Sequence, residues 1–224
     1  MYQEETGDSV GGIIAGRLTW YIFIKRVFDV VSSACAIAAL GWLLIIVAVA
    51  IKLTSKGPIL FLDHRVGKNG KDIYVYKFRT MYIDAEEHVH DYLSEEQYQE
   101  WLTERKVEND PRITPIGRFL RKTSIDELPQ LFNIIKGELS VVGPRPLTRY
   151  EIEENFPPQQ QKKLLSCKPG LTGNWAAYGR SDVTFESGER QRIELEYVDK
   201  RSTMFDLKLI FATVGAVLKG KGAK

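Results

Sequence analysis

The segment from Val30 to Ile51 contains 22 consecutive residues without a formally charged side chain, most of them Ala, Leu, Ile or Val. At about 1.5 Å per residue, a helix of this length is roughly 33 Å long, enough to cross the hydrocarbon core of a bilayer. A cleavable signal peptide fits poorly, because the apolar block is longer than a typical signal core and lacks a cleavage site. The segment therefore predicts a membrane helix, with a buried helix of a soluble domain as the alternative.

Basic residues flank this segment on both sides. The positive-inside rule places such residues on the cytoplasmic face of a membrane. A helix that enters the membrane, bends at Gly41 and returns keeps both flanks on that face, whereas a straight spanning helix separates them. The sequence favours the re-entrant arrangement and leaves the spanning one open. The flanking cations are Arg17, Lys25 and Arg26 before the segment, and Lys52, Lys56, Arg65, Lys68 and Lys71 after it.

The composition of the whole chain excludes several other classes of protein. Its 31 Lys and Arg residues against 29 Asp and Glu residues leave a net charge of +2, so no basic field indicates a nucleic-acid partner. A hydrophobic content of 44% with 27% charged residues fits neither a disordered chain nor a polytopic membrane protein. Two distant cysteines are too few for a disulfide scaffold, which favours a reduced, cytosol-facing environment.

The remaining patterns predict one α-rich α+β domain behind the membrane segment. Two short strands, Ile59–Leu62 and Ile73–Phe78, are separated by a Gly-containing turn. Helices are predicted at Leu131–Ile135, ending at Gly137, and at Phe205–Leu218, and the basic, apolar stretch from Ile116 suits either a membrane surface or an ordinary surface helix. Residues 1–16 are expected to be a loose tail. The domain division is residues 1–24 as tail and interfacial lead-in, 25–53 as membrane helix and 54–224 as the cytosolic-face domain.

Two adjacent carboxylates, Asp126 and Glu127, are the first candidate for chemistry. Proline fits a helix only in its first turn, so Pro129 places both acids at a helix N-terminus, where free N–H groups favour anions such as phosphate. The alternative is purely structural: Ser124 and Glu127 form a capping box, or Asp126 is the N-cap. In the chemical interpretation, one carboxylate holds a divalent cation while the other attacks phosphorus to form an acyl phosphate.

Several cations are candidate phosphate ligands. Pro144 and Pro146 fix the backbone around Arg145, so its guanidinium is presented at little entropic cost, although a structural turn explains the same residues. Lys77 and Arg79 alternate at the end of a strand, and Arg180 follows a glycine. The glycine-rich turn from Lys168 to Gly173 lacks the Walker spacing, so it does not predict a nucleotide P-loop.

In combination these motifs resemble the bacterial sugar transferases, also called monotopic phosphoglycosyl transferases. The resemblance extends from about Lys25 to Val214, nearly the whole chain. It is carried by Lys25-Arg26 with Asp29, Thr54-Ser55-Lys56-Gly57-Pro58, Lys77-Phe78-Arg79-Thr80-Met81, Gly117-Arg118-Phe119-Leu120-Arg121, Asp126-Glu127-Leu128-Pro129-Gln130-Leu131-Phe132-Asn133, Lys136-Gly137, Ser140, Gly143-Pro144-Arg145-Pro146, Lys168-Pro169-Gly170-Leu171-Thr172-Gly173 and Gly179-Arg180.

The resemblance implies an enzyme that moves a sugar 1-phosphate from a UDP-sugar to undecaprenyl phosphate. This is the first membrane step of exopolysaccharide, capsule or other glycan assembly. Asp126 is then the nucleophile that forms a phosphosugar-enzyme and releases UMP, and Glu127 helps to place Mg²⁺ or a proton, so that Asp126 and Glu127 are the expected metal ligands. The expected substrate-binding residues are Lys77, Arg79, Arg121, Arg145 and Arg180.

The implied architecture is a compact domain on the cytoplasmic face of the bacterial inner membrane, with a re-entrant helix and interfacial amphipathic helices. One departure concerns the bend: family members often break the membrane helix at a Ser-Pro pair, and the corresponding place reads Gly41-Trp42. Two other functions remain as alternatives, a catalytically silent assembly or regulatory protein of the same fold, and a membrane phosphodiesterase or phosphatase. The sequence does not reveal the sugar or the pathway, and it leaves a homodimer open.

Overall fold

A single long helix, α1, dominates the N-terminal part of the chain. The computed structural model describes residues 6–85, 87–104, 107, 109–179 and 183–218, without the side chains of residues 6–17, 103, 104, 217 and 218. Helix α1 (Thr6–Thr54) has 49 residues, a length of roughly 74 Å at about 1.5 Å per residue. It begins inside the predicted loose tail, because extending a formed helix by further turns costs little.

Helix α1 is continuous through Gly41, so the bend predicted there is not seen. The physical reason is that glycine permits a bend without imposing one, whereas proline removes a backbone hydrogen bond and forces it. No proline occurs between Val30 and Ile51. The departure from the Ser-Pro pattern therefore has a structural consequence in this chain.

The rest of the described chain is helix-rich with two small sheets, which confirms the α-rich α+β prediction. Strands β1 (Leu60–Val66) and β2 (Asp72–Phe78) form an antiparallel hairpin, and both are longer than predicted. Strands β3 (Ser140–Val142) and β4 (Gly170–Thr172) pair in parallel. The helices are α2 (Val89–Tyr92), α3 (Glu95–Glu104), α4 (Pro115–Thr123), α5 (Gln130–Lys136), α6 (Arg149–Asn155), α7 (Pro158–Leu164), α8 (Glu189–Lys200) and α9 (Thr203–Leu218).

Polar side chains attach the N-terminal half of α1 to the domain. The buried carboxylate of Asp29 accepts hydrogen bonds from Ser140 Oγ at 3.0 Å and from the N–H of Val141 at 2.9 Å. The guanidinium of Arg26 donates to two carbonyl oxygens in the last turn of α5, at 2.6 and 2.7 Å. A cation in this position also interacts favourably with the helix dipole. The Lys25 ammonium pairs with Asp206 of α9 at 2.8 Å.

The C-terminal half of α1 is held by apolar packing. Val47 and Ile51 are buried in one cluster with Phe78 of β2 and Leu120 of α4. The opposite face of α1 is also apolar but remains exposed, and the segment Leu18–Thr54 is long and apolar enough to cross a membrane. The exposed large side chains on this face include Trp20, Phe23, Val27, Val31, Trp42, Ile45, Ile46, Val49 and Leu53.

Glycines allow the backbones around β3 and β4 to approach each other closely. The N–H of Gly143 donates to the Thr172 carbonyl, and the N–H of Gly170 donates to the Pro144 carbonyl, both at 2.8 Å. A Cβ atom on Gly170 would lie 2.1 Å from the nitrogen of Gly143, and one on Gly173 would lie 2.0 Å from the Gly143 oxygen. The glycine-rich motif thus serves backbone packing beside Arg145.

Candidate active site

Asp126 and Glu127 lie in a short turn between α4 and α5. Ser124 takes a left-handed conformation (φ 56°), residues Ile125–Glu127 form one turn of 3₁₀ helix, and Pro129 is the N-cap of α5. Pro129 thus stands at a helix start, as predicted, but as the N-cap, so Asp126 and Glu127 lie three and two residues before it in the 3₁₀ turn. In this described turn Ser124 makes no side-chain capping bond, and α5 has no side-chain cap either. The structural alternative for the two carboxylates, that they serve as helix caps, is not realised.

The carboxylates of Asp126 and Glu127 have no close cationic partner. Among the described residues, no side-chain nitrogen of Lys, Arg or His lies within 4.0 Å of either carboxylate. Burial, and then the charge of Glu127, raises the pKa of Asp126 to about 6, against the opposing charges of Lys77 and Arg121. Arg121 is held nearby, since its Nε donates to Thr80 Oγ1 at 2.9 Å.

A cleft opens beside this turn. Its walls include Lys77 from β2, Glu127 from the 3₁₀ turn and Arg145 from the loop after β3. Asp126 and Arg121 do not line the cleft. Asp126 directly precedes the cleft residue Glu127, and the charges of Asp126 and Arg121 interact. The structure thus brings together Lys77, Glu127 and Arg145, which are far apart in the sequence.

Arg145 is fixed at both its backbone and its side chain. Proline has no N–H, so Arg145 supplies the only backbone donor of Pro144-Arg145-Pro146, and it donates to Glu194 Oε2 at 3.1 Å. The guanidinium carbon lies 4.6 Å from the centroid of the Trp175 ring. Burial raises the pKa of Glu194 to about 7, although this hydrogen bond and the charges of Arg190 and Arg145 oppose the shift. These contacts support the predicted preorganisation of Arg145.

Helix α8 supplies two residues that the sequence analysis missed, Arg190 and Glu194. The guanidinium carbon of Arg190 lies 4.9 Å from the centroid of the same Trp175 ring, and Trp175 begins a π-helical turn, a feature often found at functional sites. The sequence spacing indicates Glu194, because it shares the buried face of α8 with Ile193, Tyr197 and Val198. A carboxylate at helical spacing within an apolar face indicates a buried polar contact.

Of the predicted substrate ligands, Lys77 and Arg145 line the cleft, whereas Arg79 and Arg121 do not. Arg79 is 6% exposed and turns away from it. Its NH2 donates to the Ser55 carbonyl at 3.0 Å and to Ser55 Oγ at 2.8 Å, and its NH1 donates to the carbonyl of Lys56. Arg79 therefore holds the segment after α1, and its role as a substrate ligand stays a prediction. Arg180 lies outside the described residues.

The acidic residues of the site fit one mode of metal binding. In the part of the chain that the structure describes, no group of three or more His, Cys, Asp or Glu side chains could enclose a metal ion. Mg²⁺ is commonly held by one or two carboxylates together with substrate phosphates. Asp126 and Glu127 form no ion pair with a described residue and so fit this mode, whereas the carboxylate of Asp63 in the cleft wall is already paired with Lys77 and Arg65.

Comparison with known proteins gives the same family as the motifs. A family model described as bacterial sugar transferase matches residues 20–220. The exopolysaccharide production protein ExoY of Rhizobium meliloti is 38% identical over 224 residues, covering 98% of this chain and 93% of ExoY.

Two further relatives carry the names of specific transferases. The undecaprenyl-phosphate galactose phosphotransferase of Salmonella typhimurium is 38% identical over 203 residues, covering 90% of this chain and 42% of that protein. The UDP-glucose:undecaprenyl-phosphate glucose-1-phosphate transferase of Escherichia coli is 35% identical over 202 residues, covering 85% of this chain and 39% of that protein. This chain spans about two fifths of their length, and almost the full length of ExoY. It belongs to the bacterial sugar transferase family.

Proposed function

We propose that the protein transfers a sugar 1-phosphate from a UDP-sugar to undecaprenyl phosphate through a covalent intermediate on Asp126. The observation that carries this proposal is the pair of adjacent carboxylates at Asp126 and Glu127, which neither cap a helix nor pair with a cation among the described residues. Glu127 lines a cleft that also contains Lys77 and Arg145. Transfer to undecaprenyl phosphate is stated in the names of two relatives, and a UDP-sugar donor in the name of one.

The proposed reaction has two displacements at the same phosphorus atom. A carboxylate oxygen of Asp126 attacks the phosphorus that bears the sugar, and the bond to the bridging oxygen breaks, so that UMP leaves with the bonding electrons. A phosphate oxygen of undecaprenyl phosphate then attacks that phosphorus. The acyl-phosphate bond breaks, which regenerates the carboxylate and yields undecaprenyl diphosphate sugar. No oxidant or reductant is required.

The residues around the cleft have separate roles in this scheme. Lys77 and Arg145 bind the diphosphate of the donor, and Arg121 offsets the negative charge that accumulates beside Asp126. Asp126 and Glu127 are the residues that would hold Mg²⁺, which, when bound, reduces the repulsion between the anionic nucleophile and the anionic substrate. The Trp175 ring and the Glu194 carboxylate keep Arg145 in place, so that little ordering is needed when the donor binds.

We propose that α1 attaches the protein to the cytoplasmic face of the inner membrane, with both of its ends on that face. The exposed apolar side of α1 supplies the lipid contact. The contacts of Arg26 and Ile51 with the domain are separated by 25 residues, roughly 37 Å of helix, whereas the hydrocarbon core is about 30 Å thick. A straight spanning helix would have to place parts of one domain on both sides, so these contacts support a same-face arrangement.

Cysteine labelling tests this arrangement. We expect Leu18→Cys and Lys56→Cys to react equally with a membrane-impermeant maleimide in inverted inner-membrane vesicles and to be protected in intact spheroplasts. Both single variants are made in a protein whose Cys35 and Cys167 are replaced by Ser. Opposite accessibility of the two positions in the same vesicles would contradict the proposal and indicate a spanning helix.

The transferase activity itself is tested with purified protein in detergent, Mg²⁺, undecaprenyl phosphate and a panel of UDP-sugars, including UDP-glucose and UDP-galactose. We expect UMP release that depends on the lipid for continued turnover, together with a sugar label that moves into the lipid. Without lipid, we expect at most one UMP per protein molecule, because the phosphosugar remains on the enzyme. Continued UMP release without lipid would instead indicate transfer to water, and no release with any donor would indicate a silent protein.

A further inference from the structure

The β1–β2 hairpin places three charged side chains on one of its faces. Phe61 pairs with Lys77 and Asp63 pairs with Val75, and residues two apart on a strand share a face. Asp63, Arg65 and Lys77 therefore lie on the same side, where cross-strand diagonal neighbours are within reach of one another. Asp63 is 8% exposed, and its carboxylate accepts from Lys77 Nζ and from Arg65 Nε, each at 2.8 Å.

Asp63 is anchored to a second element through Arg65. Arg65 NH1 donates to Glu151 Oε2 at 3.1 Å. The same Glu151 oxygen accepts from the N–H of Thr148 at 2.8 Å, within the capping box that starts α6. A row of alternating charges thus runs through Lys77, Asp63, Arg65 and Glu151. Its far end is fixed by a helix cap and its near end reaches the cleft.

Lys77 also interacts with the negative charge of Asp126. A lysine side chain is long and flexible, and holding it in one position has an entropic cost. Its positive charge already acts on the carboxylate of Asp126, and Glu127 lines the same cleft as Lys77. Without a fixed anion on the hairpin, the ammonium would turn towards these carboxylates and neutralise the groups that the transfer reaction needs.

We propose that Asp63 is a positioning residue, whose carboxylate holds the Lys77 ammonium at the cleft wall for the donor diphosphate and away from Asp126 and Glu127. This inference rests on the proposed function. Asp63 does not itself contact the reacting atoms in this scheme, and its effect on the reaction passes through Lys77. Loss of Asp63 should therefore have no effect on donor binding when Lys77 is also absent.

A double-mutant cycle tests this dependence. We expect Asp63→Asn to raise the KM for the preferred UDP-sugar about tenfold, with a smaller fall in kcat, and to weaken the binding of UDP with Mg²⁺, measured calorimetrically, by the same factor. In a Lys77→Gln background, Asp63→Asn should change the UDP affinity by less than about twofold, because the interaction it acts through is already lost. An unchanged or lower KM for Asp63→Asn, or an equal loss in both backgrounds, would overturn the inference.

Two further variants complete the design. Asp72→Asn is the matched control, since Asp72 lies on β2 and pairs with Arg149 but is half exposed and does not line the cleft. We expect wild-type KM for this variant. If Asp63→Asn does not fold, Asp63→Glu takes its place, because it keeps the charge but displaces the Lys77 ammonium by about one bond length. A wild-type KM for Asp63→Glu would contradict the inference. A wild-type protein that binds UDP but releases no UMP would contradict the proposed function, while the UDP affinities would still decide the role of Asp63.

Discussion

Replacement of Asp126 by Asn is expected to lower lipid-dependent UMP release by at least about 10³-fold, because an amide oxygen is a far weaker nucleophile than a carboxylate. The substitution keeps the size and shape of the side chain. Asp126 neither caps a helix nor pairs with a cation in the described structure, so the fold should not depend on its charge. The loss should therefore appear in kcat, and UDP affinity should fall much less, because Lys77, Glu127 and Arg145 remain in the cleft wall.

The covalent step has its own measurement. With a UDP-sugar labelled on the phosphorus next to the sugar, wild-type protein should retain the label after denaturation, and Asp126→Asn should not. Glu127→Gln is the matched control, because it removes one negative charge from the neighbouring residue; we expect slower turnover but a detectable label. Full turnover by Asp126→Asn, or label on that variant, would contradict the role of Asp126 as nucleophile.

The parts of this site that the sequence predicts are those fixed by local backbone chemistry. Pro129 requires a helix start, which locates Asp126 and Glu127, and two prolines restrict the backbone on either side of Arg145. The long apolar helix is also predicted from local information, since its uncharged length is read directly from the chain. For these features no knowledge of distant contacts is needed.

The parts that the sequence does not predict depend on segments distant along the chain. Lys77 and Arg79 both carry a cation near the end of β2, but only the position of the Ser55 carbonyl decides that Arg79 turns away from the cleft. Glu194 contacts the Arg145 N–H from 49 residues further along the chain, a pairing set by how α8 docks. Asp63 and Arg65 lie beyond the strand predicted at Ile59–Leu62, and Lys77 cannot be identified as their neighbour without the register of β2.

Replacement of Gly170 by Ala is expected to destabilise the protein by about 3 kcal/mol, at the upper end of the cost of inserting a carbon into a packed interior. The added Cβ would lie 2.1 Å from the nitrogen of Gly143 and 2.4 Å from the oxygen of Thr172. Both are backbone atoms, so no side-chain rotation relieves these contacts. To relieve the contact with Gly143, β3 and β4 must separate. The hydrogen bond from the Gly170 N–H to the Pro144 carbonyl, at 2.8 Å, is then lost.

This separation reaches the active site, because Pro144 directly precedes Arg145. We therefore expect Gly170→Ala to lower the thermal midpoint in detergent by roughly 6–12 °C and, in the protein that remains folded, to raise the KM for the UDP-sugar. Gly215→Ala is the matched control: it lies in α9, an added Cβ there has no atom within 4 Å, and alanine favours helix by about 1 kcal/mol. It should leave KM unchanged and the midpoint equal or higher. Unfolding of Gly170→Ala at the wild-type temperature would contradict this prediction. The close approach of the β3 and β4 backbones would then not hold Arg145 in place, and Glu194 and Trp175 alone would account for its preorganisation.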